Sequence, residues 1–377
     1  MNKKEIAEIR KEFNKNDNGI TRITGCYVDF EKNKRLDFKE AFYSLPDEEM
    51  HKYVDIMKKT LSGTLGKNLL NMEFPTEEET SEDGSQKFLY ELVQSKLCDD
   101  ALLDKLYDKI IETYNYDGEY LIILIHDTYD IPTITSDGVE NFDASEYVYD
   151  FILCSICPVK LSKAALYYNR QKNSIEEHMR DWIVQAPANG FLYPAFNDRN
   201  MDIHNILYYT KNSDETDIEF SENMLRCTLP IPAKEQKEVF STIVEESLGR
   251  DCEFEIVRNI HDNLAEMIAE KADEPEPVEL DKEDMKKLLI NSGATEESVE
   301  KFAETFESSV AEGQSFVASN ITNQRKFELK TPDVTINVSP ERTDLVDTRI
   351  IDGKPCIVIE CNDNVIVNGI RVANPAE

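Results

Sequence analysis

Glycine and proline are scarce, 13 and 14 in 377 residues. That excludes collagenous, low-complexity and glycine-punctuated all-β repeat architectures. Basic residues are also in short supply, 42 Lys plus Arg against 75 Asp plus Glu, for a formal net charge of -33 at pH 7. A chain this acidic cannot hold nucleic acid through a general basic surface, because duplex affinity rests on neutralising phosphates. Long apolar runs are missing as well. The most apolar stretch, Tyr120 to Ile125, spans six residues, whereas a membrane-spanning helix needs about 20. The charged start, Met1-Asn2-Lys3-Lys4-Glu5-Ile6, has no apolar core of a secretory signal behind it. The expectation is a cytoplasmic protein without membrane contact. Eight cysteines, at 26, 98, 154, 157, 227, 252, 356 and 361, are spread thinly, so reduced, mostly buried thiols are expected in place of a disulfide framework.

What is present is enough apolar material for real cores, 40% hydrophobic and 9% aromatic residues, in a length that suggests two or three domains. Charge divides the chain unevenly. Residues 1–67 hold 14 bases against 12 acids, a balance of +2 that leaves -35 for the remainder. Residues 73–83 carry six acids and no base, and residues 262–312 carry 16 acids against five lysines. Both segments contain prolines, Pro75 in one and Pro275 and Pro277 in the other, so both read as boundaries. This gives a near-neutral module at 1–72, a central α/β domain at 84–272, an acidic linker at 273–279, a helical hairpin at 280–312 and a small β module at 316–377.

Local pattern supports an α+β fold: a mixed α/β N-terminal and middle region, an acidic helical hairpin and a small C-terminal antiparallel β module. Ile6, Ile9 and Phe13 predict an opening amphipathic helix, and Pro46-Asp47-Glu48-Glu49 a second helix start that runs to Gly63. Phe88 to Tyr114 predicts a helix or broken pair, and Tyr120 to Ile125 a central strand buried on both faces. Thr295 caps a helix carrying Val299, Phe302, Phe306 and Val310 on one face. Asp352-Gly353 is a hairpin signal.

Several blocks carry a family likeness: Ile20-Thr21-Arg22-Ile23-Thr24-Gly25-Cys26-Tyr27-Val28, Lys59 to Leu70, Asp150 to Val159, Phe191-Leu192-Tyr193-Pro194-Ala195-Phe196-Asn197-Asp198-Arg199, and Ile350 to Gly353 with Val367-Asn368-Gly369. On these the sequence resembles a bacterial family known as domain of unknown function 4317, over nearly the whole chain. The resemblance implies no activity and brings no site residues.

Candidate chemistry is sparse. Gly63-Thr64-Leu65-Gly66-Lys67-Asn68 lacks the four-residue glycine spacing and the trailing Ser or Thr of a phosphate loop, so a helix-terminating turn is expected, with a weak anion site at Lys67 as the alternative. Cys154-Ser155-Ile156-Cys157 has no second pair to complete a zinc site, and buried thiols are expected there. His126-Asp127 follows the apolar strand, where ligands collect in open α/β sheets, and Asp198, Arg199 and His204 form a second polar cluster. Together these five could serve a metal-assisted hydrolysis or clamp a phosphate. Hydrogen-bonded caps and turns explain the same residues without chemistry. Trp182, the sole tryptophan, reads as core, with an exposed recognition aromatic as the alternative.

The expectation is therefore a non-enzymatic protein-interaction or regulatory protein, its acidic hairpin at 281–310 a docking arm for protein partners. The alternative is a metal-assisted hydrolase with its site at His126, Asp127, Asp198, Arg199 and His204. A weaker alternative is nucleic-acid contact through residues 1–67, with Arg10, Lys11, Arg22, Lys32, Lys34 and Arg35 on one face. No cofactor is named by the sequence.

Overall fold

The structure, a computed structural model, describes residues 1–15, 18–81, 83–134, 140–141, 147–213, 217–311, 313–361 and 365–372. Residue 82 of the acidic segment, residue 312 of the expected hairpin, and residues 362–364 and 373–377 of the expected β module thus lie outside the described residues. The chain divides into two compact units, Met1–Pro232 and Ala233–Glu377. The segment 273–279 falls inside the second unit. Residues 1–72 share one sheet with the middle of the chain.

The strands of the first unit are β1 (Arg22–Val28), β2 (Lys34–Ala41), β3 (Leu69–Glu73), β4 (Glu119–Ile131), the short pair β5 (Thr133–Ile134) and β6 (Glu140–Asn141), and β7 (Tyr147–Leu161). There follow β8 (Leu166–Asn169), β9 (Ser174–Glu177), β10 (Trp182–Val184), β11 (Asn189–Tyr193), β12 (Ala195–Asn197), β13 (Asn200–Asp202) and β14 (Asn205–Thr210). The main sheet runs β2-β1-β4-β7-β11-β14-β3, with β10 also paired to β7. Every pairing in it is antiparallel.

Helices cover both faces of this sheet. α1 (Lys3–Glu12) starts at Asn2, whose side chain accepts from the Lys4 and Glu5 N–H groups while Glu5 reaches back, a reciprocal cap. α2 (Asp47–Thr60) has three acids in its first turn and Lys58 and Lys59 in its last, matching the helix dipole. Their apolar stripes, Ile6 and Ile9, then Met50, Val54 and Met57, pack on the β4 residues Leu121, Ile123 and Ile125.

The acidic segment forms α3 (Thr76–Thr80), and beyond it α4 (Ser85–Gln94) and α5 (Asp100–Thr113) cover the other face. There Leu89, Leu92, Leu106 and Ile110 meet Tyr120, Ile122 and Leu124, with a π-helical turn at Phe220–Leu225 closing the layer. Strand alternation thus feeds two cores from one run of six residues. Each fully buried Leu or Ile there contributes about 1.5 to 3 kcal/mol.

The second unit holds α6 (Ala233–Leu248), α7 (Phe254–Glu270), α8 (Lys282–Asn291), α9 (Glu296–Ser309) and the single turn α10 (Ala318–Ile321). Its strands form separate two-stranded ladders: β15 (Glu279–Leu280) with β16 (Phe316–Val317), β17 (Phe327–Lys330) with β18 (Thr335–Val338), β19 (Val346–Ile351) with β20 (Lys354–Ile359), and β21 (Ile366–Val367) with β22 (Ile370–Arg371). Asp352 and Gly353, both at positive φ (51° and 73°), make the expected hairpin turn.

The acidic hairpin is not a free arm. Its apolar residues Met285, Leu288, Leu289, Phe302 and Phe306 are buried, because α9 packs on α6 and α8 on α7. That removes the reason for expecting a partner to cover them.

Candidate functional site

The five residues named from the sequence are divided by the sheet. His126 and Asp127 lie inside β4, which continues to Ile131, and not beyond its end. The expectation of a ligand beyond the strand's carboxyl end belongs to parallel sheets with helical crossovers, and this sheet is antiparallel. Alternation then turns the two neighbours to opposite faces. His126 is fully buried, its Nε2 3.6 Å from Asp150 Oδ1 and its Nδ1 3.4 Å from Thr21 Oγ1. Burial depresses its pKa below the ordinary imidazole value, with the Asp150 carboxylate opposing.

Asp127 is 1% exposed; its Oδ1 accepts from the Thr128 N–H and its Oδ2 has no partner. Burial pushes this carboxyl up to about 7.

Asp198 and Arg199 are the two central residues of the β12–β13 hairpin, both at positive φ (51° and 54°). They are turn residues first. Arg199 Nη2 donates to Glu8 Oε1 at 2.9 Å, and Tyr129 Oη donates to the same oxygen at 2.8 Å, so the hairpin is tied to α1 on the Asp127 face. His204 stands instead beside Gln86 of α4, its Nδ1 3.5 Å from Gln86 Nε2, and its N–H donates to Asp202 Oδ1. Burial alone would raise the Asp202 pKa, but hydrogen bonds from Asn197, the His204 N–H and Asn205 hold it below the ordinary value.

Among the described residues no group of three or more His, Cys, Asp or Glu is placed to hold a metal ion. Cys154 and Cys157 are buried in the two different cores, three residues apart on β7. Their pKa values are raised by burial, which disfavours the reactive thiolate. In the turn after α2 the N–H groups of Gly66, Lys67, Asn68 and Leu69 are all spent on backbone carbonyls, and that of Thr64 on the Asn68 side chain. No ring of N–H groups is left for a phosphate.

Six of the fourteen bases of residues 1–67 have partners, among them Arg10, Lys32, Lys34 and Arg35 of the six expected on one face. Lys34 pairs with Asp104 and Asp108, Arg35 with Asp29, Lys15 with Asp55 and Lys39 with Asp100, while Arg10 and Lys32 donate to the carbonyls of Lys58 and Tyr114.

A different surface stands out. Residues 160–184 leave the sheet as the β8–β9 hairpin and return as β10, which adds to β7 through Trp182↔Leu161, Ile183↔Lys160 and Val184↔Val159. Asn169 Oδ1 accepts from the Gln171 and Lys172 N–H groups and shapes the hairpin turn. Apolar side chains face solvent throughout: Leu166 is 75% exposed, Ile175 64%, Met179 83% and Trp182 56%.

Ser162 N–H donates to Asp181 O and Gln185 N–H to Pro158 O, so Ile183 faces β7 and the backbone groups of Trp182 and Val184 point outward. No further strand pairs that outer edge among the described residues. Five bases (Lys160, Lys163, Arg170, Lys172, Arg180) stand here against three acids (Glu176, Glu177, Asp181), in a chain that is otherwise strongly negative.

A protein-family model described as a domain of unknown function (DUF4317) matches residues 1–370. The chain belongs to this family. No curated protein matches it. No solved structure matches it either. The family assignment covers both compact units and brings no chemistry, so the arm at 160–184 is legible from its physics alone. The core expectation for Trp182 was drawn from composition, and the structure overturns it. The signal available in the sequence was local: Trp182-Ile183-Val184 directly follows a run of mixed charge, Glu176-Glu177-His178-Met179-Arg180-Asp181, with no apolar stretch beside it to provide a cover.

Proposed function

We propose that the protein is a non-enzymatic interaction protein that docks an extended, acidic segment of a protein partner against β10. The observation supporting this reading is the contrast between two edges of the same sheet. β2, at the rim, reads Lys-Arg-Leu-Asp-Phe-Lys-Glu-Ala, alternating charges that keep other strands away. β10 carries Trp182, Ile183 and Val184, all exposed, with no charge among them. An unprotected apolar edge of this kind takes up a strand by backbone pairing, and aromatic anchors supply much of the binding energy at such contacts. The local excess of Lys and Arg selects an acidic incoming strand and speeds its approach.

The test is affinity capture from native extract with the full chain and with the double variant Trp182→Lys, Ile183→Lys, followed by cross-linking from Lys160 and Lys163. Partners held by the natural chain are expected to be lost by the variant, with cross-links mapping to an extended acidic segment. Retention of the same partners by the variant would refute the reading.

A further inference from the structure

α1 and the turn that follows α2 leave an open cleft between them. It measures about 380 Å³, toward the small end of the roughly 300 to 1,000 Å³ of ligand sites. Its floor is Ile6 of α1 with Leu61, Leu65 and Leu69, each no more than 6% exposed, and no aromatic ring is among its lining residues. Lys3, Ala7 and Arg10 line it from one face of α1, at spacings of four and three. That spacing sets the two cations about 10 Å apart along the helix axis, and the short Ala7 side chain leaves the space between them open.

The charges here have no internal answer. No Asp or Glu lines the cleft, in a chain with 75 of them. Lys3 occupies the first turn of α1, where the helix dipole disfavours a cation, and its ammonium makes no ion pair or hydrogen bond among the described residues. Arg10 has no carboxylate partner among them either. Its Nε donates to Lys58 O at 3.1 Å, which holds the guanidinium in place and leaves the two terminal nitrogens as donors. Thr64 adds a third group: its N–H is spent on the Asn68 side chain and its carbonyl accepts from Lys67, Asn68 and Leu69, while its exposed hydroxyl makes no bond among the described residues.

These features specify a ligand. Two cations and a hydroxyl on the walls of an acid-free cleft call for an anionic head. A planar carboxylate suits the fork of the Arg10 terminal nitrogens, whereas a phosphate would want the backbone N–H groups of Gly66 to Leu69, which are already bonded. The aliphatic floor suits a hydrocarbon tail and gives an aromatic ligand no ring to stack on.

We propose that this cleft binds an aliphatic carboxylate, with its head between Lys3 and Arg10 and its tail on Ile6, Leu65 and Leu69. The site shares no residue with the β10 edge, and either reading can fail without the other.

Calorimetric titration of the full chain with octanoate, 1-octanol and acetate tests this. Octanoate is expected to bind, with an affinity that falls as salt is raised. 1-Octanol, which lacks the charge, should bind roughly 3- to 10-fold more weakly, and acetate, which lacks the tail, should not bind measurably. Ala7→Leu, which fills the gap between the two cations, should abolish octanoate binding, and Lys3→Gln should weaken it roughly 3-fold. Both positions are exposed, so both variants should fold as the natural chain does. Trp182→Lys, on the other surface, should bind octanoate unchanged. Absence of octanoate binding, equal affinity for octanoate and 1-octanol, undiminished binding by Ala7→Leu, or loss of binding in Trp182→Lys would each overturn the proposal.

Discussion

The Asp127 carboxyl lies directly against the backbone of Gly19: a Cβ placed on Gly19 would stand 2.4 Å from Asp127 Oδ1. The carboxyl is therefore enclosed by main chain, with Glu12 adding a like charge and only the Thr128 N–H stabilising its anion.

A pH dependence follows from that enclosure. The folded pKa of about 7 exceeds the unfolded value near 3.9, so between these limits the folded state holds the extra proton. Stability contributed by this group falls as pH rises from about 4 to 7 and is level above. Asp127→Asn keeps an oxygen for the Thr128 N–H and removes the charge. The variant should match the natural chain near pH 4 and exceed it by roughly 2 to 4 kcal/mol at pH 8, read as urea midpoints across pH. Parallel curves for the two proteins would refute this.

Gly190 marks the tightest backbone approach in the sheet. A Cβ there would meet Cys154 O at 2.4 Å and Thr60 Cγ2 at 2.6 Å, where Thr60 Oγ1 and Ser155 Oγ already share a 2.6 Å hydrogen bond. Gly190→Ala should cost about 1 to 3 kcal/mol, measured by chemical denaturation; an unchanged midpoint would show that β11 can shift.

Trp182 is the sole tryptophan and is 56% exposed. Its native emission should be red-shifted and open to acrylamide quenching. Replacing it by Lys should move stability by less than about 0.5 kcal/mol, as for other surface sites. Blue-shifted emission that acrylamide cannot reach would place the ring in a core.

The eight thiols should separate by accessibility. Cys98, Cys252 and Cys361 are exposed and Cys356 is half-buried, whereas Cys26, Cys154, Cys157 and Cys227 are buried. A disulfide reagent at pH 8 should modify the first group promptly and the second only after denaturant is added. Rapid modification of all eight would contradict the packing.

Periodicity made the framework legible. Ile6, Ile9 and Phe13 announced the opening helix, Pro46 and Thr295 set helix starts, and Tyr120 to Ile125 announced a strand buried on both sides. Strand direction was not legible, because a run of apolar residues does not encode which partner lies beside it. The division of the five site residues between the two faces of the sheet was hidden for a related reason. His126 and Asp127 are adjacent in sequence and polar, yet a pleated strand sends adjacent side chains to opposite faces. Asp198 and Arg199 were noticed for their charges, although their positive φ values give them a turn role that backbone demands explain. The acidic hairpin's apolar stripes called for burial, and the sequence did not disclose that α6 and α7 provide it.

The charge and the bare edge of β10 also act on each other. Two copies of a chain at -33 repel strongly at low ionic strength, which holds their apolar edges apart. Salt shortens the reach of that repulsion to about 10 Å at 0.1 M and 3 Å at 1 M. The protein's solubility is thereby tied to ionic strength in the unusual direction: concentrated salt should promote edge-to-edge pairing and light scattering, and a single lysine at Ile183 should prevent both.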